Sequence, residues 1–167
     1  MAGSRPGALI ATAWASLLHL LGVAGYMEAT QAILAAMDAF VEGLRSIPQL
    51  RVLGQPEMSV VAFAAARPKQ LNIYALNDLL HKPAGGGWHL NALHRPAALH
   101  FCFTAMNAGA VQQLLGDIRT AVAALEADPA AAGKGGSAPV YGMSNASPDR
   151  GLLGEFLVAY QDTMLVP

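Results

Sequence analysis

Charge is scarce in this sequence: 13% of its 167 residues are Asp, Glu, Lys or Arg, and ten basic against eleven acidic side chains leave a formal net charge of -1. The lysines and arginines are scattered, so the chain has no electrostatic footprint for nucleic acid or for an anionic membrane. Cysteine is almost absent. Cys102 alone excludes an internal disulfide framework and a cysteine-based zinc site, and it fits a reducing compartment. Its setting, His100-Phe101-Cys102-Phe103, predicts a strand in which the thiol is a small buried hydrophobe. The histidines His19, His81, His89, His94 and His100 contain no HExxH or comparable pair, which argues against a metal site. No uninterrupted membrane-length run is present either. The stretch Ala8 to Ala24 lacks Asp, Glu, Lys and Arg, but it is only about 17 residues long, at the short limit for a span. Thr12, Ser16 and His19 interrupt it, and a buried helix is the expectation.

What the chain does have is apolar surface. Hydrophobic residues make up 54% of it. So much apolar area on so few charges implies a neighbouring domain or subunit that covers part of it. The length allows one domain, or part of a larger one.

Periodicity supplies the elements. Pro6 and Gly7 open a helix over 7–22, since proline near the first turn has no N–H to waste. Tyr26, Ile33, Met37, Phe40, Leu44 and Ile47 recur at steps of three and four and predict an amphipathic helix ending before Pro48. The period then shortens. Arg51 to Leu53 and Met58 to Ala65 read as strands, the second central because it is nearly all apolar. Leu71 to His81 is helical and is closed by Pro83 and the glycines at 85–87. Trp88 to Leu93 and Ala98 to Thr104 are two further strands. Asn107 is placed to cap a helix whose Val111, Leu114, Leu115, Ile118, Val122 and Leu125 form one face, stopping near Asp128-Pro129. Residues 129–140, rich in Ala, Gly, Ser and Pro, predict a mobile loop, and Ser147-Pro148 starts a last helix carrying Leu152, Leu153, Phe156, Leu157 and Tyr160. The sum is an α+β fold: helices on one face of a short, mostly antiparallel sheet. Pattern alone fits a ferredoxin-like binding module equally well.

A series of segments carries a resemblance. Gly3-Ser4-Arg5-Pro6-Gly7, Gly25-Tyr26-Met27-Glu28-Ala29-Thr30, Ser59-Val60-Val61-Ala62, Ile73-Tyr74-Ala75-Leu76, Gly87-Trp88-His89-Leu90-Asn91, Leu99-His100-Phe101-Cys102 and Tyr141-Gly142-Met143 occur in this order. They resemble collinear segments of sphingosine-1-phosphate lyases, related to the group II decarboxylases. The chain departs from the pattern in the longer run Lys82-Pro83-Ala84-Gly85-Gly86 and at Arg95, where an apolar residue is expected.

The resemblance implies the C-terminal small domain of a fold-type-I pyridoxal 5'-phosphate enzyme. Linking helices occupy 1–47, the small domain 48–128, a loop 129–140, and an active-site loop and helix 141–167. Such enzymes act as homodimers and split a phosphorylated sphingoid base into a long-chain aldehyde and phosphoethanolamine by retro-aldol chemistry. The family's Schiff-base lysine lies upstream of the Gly-Ser-Arg-Pro-Gly segment. Lys69, Lys82 and Lys134 stand in expected surface turns as solvated charges, so the chain reads as a fragment inactive by itself, with the cofactor bound mainly by the missing part. The resemblance assigns Tyr141 a catalytic position, where a phenol can hydrogen-bond or move a proton, and places Ser4 and Arg5 near the cofactor, where a hydroxyl beside a guanidinium suits a phosphate. His100 is expected to hydrogen-bond within the core or at an interface. Location follows the family: the cytosolic face of the endoplasmic reticulum membrane for a eukaryotic protein, otherwise the cytoplasm. A pyridoxal-phosphate amino-acid decarboxylase and a non-catalytic binding module are the alternatives.

Overall fold

The computed structural model describes residues 6–132, together with 136, 154–155, 158–159 and 161–163. Four strands form one sheet in the order β1-β2-β4-β3: β1 (Leu50–Leu53), β2 (Val60–Ala65), β3 (Asn91–Leu93) and β4 (Ala98–Cys102). Every pairing is antiparallel, with Val52 opposite Phe63, Val61 opposite Phe101 and Ala92 opposite Leu99. Both neighbours of β2 are strands, as its apolar run predicts.

Four α-helices accompany the sheet within residues 6–132: α1 (Gly7–Ala15), α2 (Gly22–Arg45), α3 (Ile73–His81) and α4 (Val111–Ala127). Strand alternation sends Val61, Phe63, Leu99 and Phe101 to one face. There they are buried with Met37, Phe40 and Leu44 of α2, Leu76 and Leu80 of α3, and Leu114, Leu115 and Ile118 of α4. Phe40 is wholly inaccessible and meets Phe63, Phe101 and Phe103 ring to ring, at centroid distances of 6.0, 6.3 and 5.3 Å. The expected α+β layer is therefore present, with α2, α3 and α4 covering a single face.

Local chemistry sets the helix ends. The Asn72 side chain accepts from the backbone N–H groups of Tyr74 (3.0 Å) and Ala75 (3.3 Å), starting α3 two residues later than expected. Asn107 does not cap α4. Its Oδ1 accepts from Thr104 N at 2.7 Å and its Nδ2 donates to Cys102 O at 3.0 Å, so it ties off the end of β4, and a 3₁₀ turn over Ala108–Ala110 leads into the helix. The expected strand over 88–93 shrinks to Asn91–Leu93, because Trp88 turns its indole toward Asp117 on α4.

Two expectations of burial fail. Cys102 is exposed: Phe101 and Phe103 point into the core, so alternation turns the intervening thiol outward. The first helix is also uncovered. It runs as α1, then a π-helical stretch Ser16–Leu21, and α1 buries no residue. Leu9 and Ile10 are each 64% exposed and Trp14 60%, because nothing in the described chain folds back over them. No single described helix is long and apolar enough to cross a membrane. The segments Gly7–His19 and Gly22–Arg45 meet that test only together, and they are bent by 80°.

Candidate functional site

Ser4, Arg5 and Tyr141, the residues to which the family resemblance assigns chemistry, lie outside the described residues, and so do Lys134 and the apolar positions 152, 153, 156, 157 and 160 of the last expected helix. Residues 154–155, 158–159 and 161–163 are helical, and Thr163 Oγ1 donates to Ala159 O at 2.8 Å. Four features of the described residues stand out as candidate contact surfaces or sites.

The first is an apolar arm. Leu9, Ile10, Trp14, Leu17, Leu18, Val23 and Met27 are all exposed on α1, the π-helical stretch and the first turns of α2. A helix that is apolar all round is normally covered, by protein or by lipid, rather than left on a water boundary.

The second is the face of the sheet away from the helices. Ala62, Ala64, Ala98, His100 and Cys102 alternate with the core residues there, and Val60 is 48% exposed. His100 Nδ1 is buried without a hydrogen-bond partner, so the hydrogen bond expected of His100 is not made at that nitrogen within the described chain. Ala64 and Ala98 are already buried on this face, at 2% and 0% exposure, so its open part lies at Val60 and Cys102.

The third is the exit from α4. Asp128 N–H donates to Ala124 O, and the Asp128 carboxylate accepts from Ala130 N at 2.9 Å, curling the chain back on itself. Ala132 is thereby buried to 6% exposure, and Lys82 Nζ donates to its carbonyl at 2.8 Å. Residues 129–132 are thus a packed turn rather than part of the mobile loop expected over 129–140, since even alanine methyls suffice when a helix end directs them onto the core. Lys82 is correspondingly a tether and not only a solvated charge. Gly136, with φ +118°, lies so close to Asp78 that a Cβ there would meet the carboxylate at 2.5 Å. None of these contacts has a motif of its own.

The fourth is a cleft of about 310 Å³ where the end of α2 meets the turn before α3 and the last turn of α4. Arg67, Gln70, Gln49 and Glu126 line it, with Gln49 Nε2 donating to Glu126 Oε1 at 2.6 Å. Elsewhere His81 and His89 meet edge to face at 4.2 Å between ring centroids. Among the described residues no three His, Cys, Asp or Glu side chains converge as metal ligands.

No protein-family model matches the chain. Whole proteins do. A sphingosine-1-phosphate lyase of Arabidopsis thaliana is 42% identical over 98% of this chain, and one of Saccharomyces cerevisiae is 34% identical over 98% of it. The solved structure of a Burkholderia pseudomallei sphingosine-1-phosphate lyase superposes with a TM-score of 0.66 at 35% identity, covering 78% of this chain. The chain spans 28% of the length of the plant relative, 27% of the yeast relative and 28% of the bacterial structure. By sequence along nearly its whole length and by the fold of its sheet and helices, this chain is a homologue of the sphingosine-1-phosphate lyases, matching a stretch of little more than a quarter of them.

Proposed function

We propose that this chain acts as the small-domain part of a pyridoxal-phosphate-dependent lyase that splits phosphorylated sphingoid bases into a long-chain aldehyde and phosphoethanolamine. The observation that carries the reading is the 35% identity and 0.66 TM-score to the Burkholderia pseudomallei lyase over 78% of the chain. The bare apolar arm supports it. Relatives more than three times as long have the further protein needed to bury Leu9, Ile10 and Trp14.

The cofactor requires a lysine amine at its aldehyde carbon and supplies an electron sink for the carbon–carbon cleavage. The described residues do not fit it. The Lys82 ammonium is committed to Ala132 O, Lys69 stands exposed in a turn, and the Arg67 cleft contains no lysine. The remainder of the enzyme accordingly holds the cofactor, and this chain contributes to the rim of the site. On this reading Tyr141 offers a phenol to the reacting substrate, while Ser4 and Arg5 offer a hydroxyl and a guanidinium to a phosphate. A homodimer built around that site follows the family.

A chimera tests the proposal: the matched stretch of the Burkholderia pseudomallei lyase is replaced by this chain. The expected result is aldehyde release from a phosphorylated sphingoid base, slowed roughly a hundredfold by Tyr141→Phe. A folded chimera that carries pyridoxal phosphate yet turns over no substrate would overturn the proposal, and an unaffected Tyr141→Phe variant would remove Tyr141 from it.

A further inference from the structure

Helix α3 ends at His81, and the chain passes back beside it at His89. Backbone hydrogen bonds fix this return. Lys82 N donates to Leu79 O at 3.2 Å, Gly85 N and Gly87 N donate to Lys82 O at 2.8 and 3.0 Å, and Trp88 N donates to Leu80 O at 2.8 Å. The last bond joins the residue before one histidine to the residue before the other. Beyond the pair, Asn77 Nδ2 donates to Leu90 O at 3.4 Å, tying the outgoing chain to α3 as well. The two imidazoles therefore stand side by side at the mouth of a closed loop, with ring centroids 4.2 Å apart and planes at 86°. Both histidines are exposed, and neither ring makes a hydrogen bond among the described residues. No ligand motif has this spacing; the loop makes the pair.

We infer that His81 and His89 form an open two-imidazole site for a divalent cation of the zinc class. Zinc takes imidazole nitrogen at about 2.0–2.1 Å, so two rings on one tetrahedral ion have their centres roughly 5 Å apart. Opening the pair from 4.2 Å to that distance is a small rotation for two exposed side chains. The fold has already brought the ligands together, so binding costs little beyond the freedom of two rotamers. Magnesium and calcium are excluded by chemistry, since both select oxygen donors. Water completes the coordination, because no third His, Cys, Asp or Glu of the described residues converges there. Asp78, three residues before His81 on α3, adds a carboxylate charge on the same side of the helix. The adjacent Lys82 ammonium is directed away, to Ala132 O. An ion on both histidines clasps the loop over 82–88, which carries Trp88 and its hydrogen bond to Asp117 of α4. The site rests on these residues alone and is independent of the lyase reading.

Zinc chloride titrated into the 167-residue chain tests the site, by calorimetry and by the nitrogen resonances of the histidine rings. One ion should bind per chain, shifting the ring signals of His81 and His89 and leaving those of His94 and His100 in place. His81→Asn and His89→Asn should each weaken binding roughly tenfold or more, at least what the loss of a ligand's supporting partner costs. Both side chains are exposed, so the variants keep the fold, and His94→Asn should bind as the parent does. Opening the loop separates the two ligands. Zinc at about a hundred times its Kd should therefore slow amide exchange over 82–88 by up to about a hundredfold, and a chelator should reverse this. Absence of saturable binding would overturn the inference, as would binding that survives His81→Asn and His89→Asn together, which places the ion elsewhere. Binding that leaves exchange over 82–88 unaltered would overturn the clasp.

Discussion

The indole N–H of Trp88 donates to the Asp117 carboxylate at 2.7 Å, joining the turn after α3 to the middle of α4. Both side chains are half-buried, and Gly86 with φ +95° lies against the pair so tightly that a Cβ would collide with the indole nitrogen. Asp117→Ala should destabilise the fold by about 1.5–3 kcal/mol, the range for a hydrogen bond to a charged group. Urea unfolding checks the value, and a double-mutant cycle with Trp88→Phe should show strong non-additivity.

Close packing of α2 on α4 turns on the absence of a side chain. A Cβ at Gly43 would overlap the Leu115 methyls, and Leu115 is 1% exposed. Gly43→Val should therefore cost about 1–3 kcal/mol through overpacking, despite the better helix propensity of a non-glycine residue. Combining it with Leu115→Ala should cost less than the two changes separately, and thermal melts of the four proteins would show it.

The aromatic cluster around Phe40 should be the most sensitive part of the core. Phe40→Ala removes a wholly buried ring that meets Phe63, Phe101 and Phe103, and a loss of about 3–5 kcal/mol is expected. For a small domain that is a large share of the total stability. Loss of cooperative unfolding, followed by circular dichroism, is the readout.

Removing apolar contact area from the arm should leave the core alone. Leu9→Gln with Trp14→Gln changes two exposed residues on a helix that buries none. Sedimentation should show less self-association of the isolated chain, and the melting temperature should stay within about 2 °C, as for ordinary surface substitutions.

Cys102 should react with a thiol reagent in the folded chain without prior unfolding, since it is exposed on the face of the sheet opposite α2, α3 and α4. Its rate should fall once that face is covered in the chimera. Equal rates in both would show the face to be open there too.

The elements were legible because this sequence announces its periods. The step-of-three-and-four apolar pattern of α2 and α4 marks amphipathic helices and the apolar run of β2 marks a buried strand, and the central place of β2 follows from that run. Burial was less legible. Phe101-Cys102-Phe103 reads as uniformly apolar, and only the pairing of Cys102 with Val60 shows which face the thiol takes. The arm misled for a related reason: an all-apolar helix predicts a cover but does not say that the cover lies elsewhere. Asn107 misled through its versatility, since an asparagine before a helix can equally fasten the preceding strand. The site was legible only through resemblance. Tyr141, Ser4 and Arg5 have no local pattern of their own, and the Lys82–Ala132 hydrogen bond is a long-range contact that no spacing encodes.

The order of the strands bears on how the polypeptide is made. Val60 of β2 pairs with Cys102 of β4, about forty residues later, with α3 and β3 between them. During synthesis the hairpin of β1 and β2 emerges first, and one flank of β2 presents its amide and carbonyl groups to water until β4 arrives. Such an open edge invites pairing with other nascent chains. Val60, 48% exposed at the end of β2 that waits longest for its mate, is where a charged substitution would act as a gatekeeper.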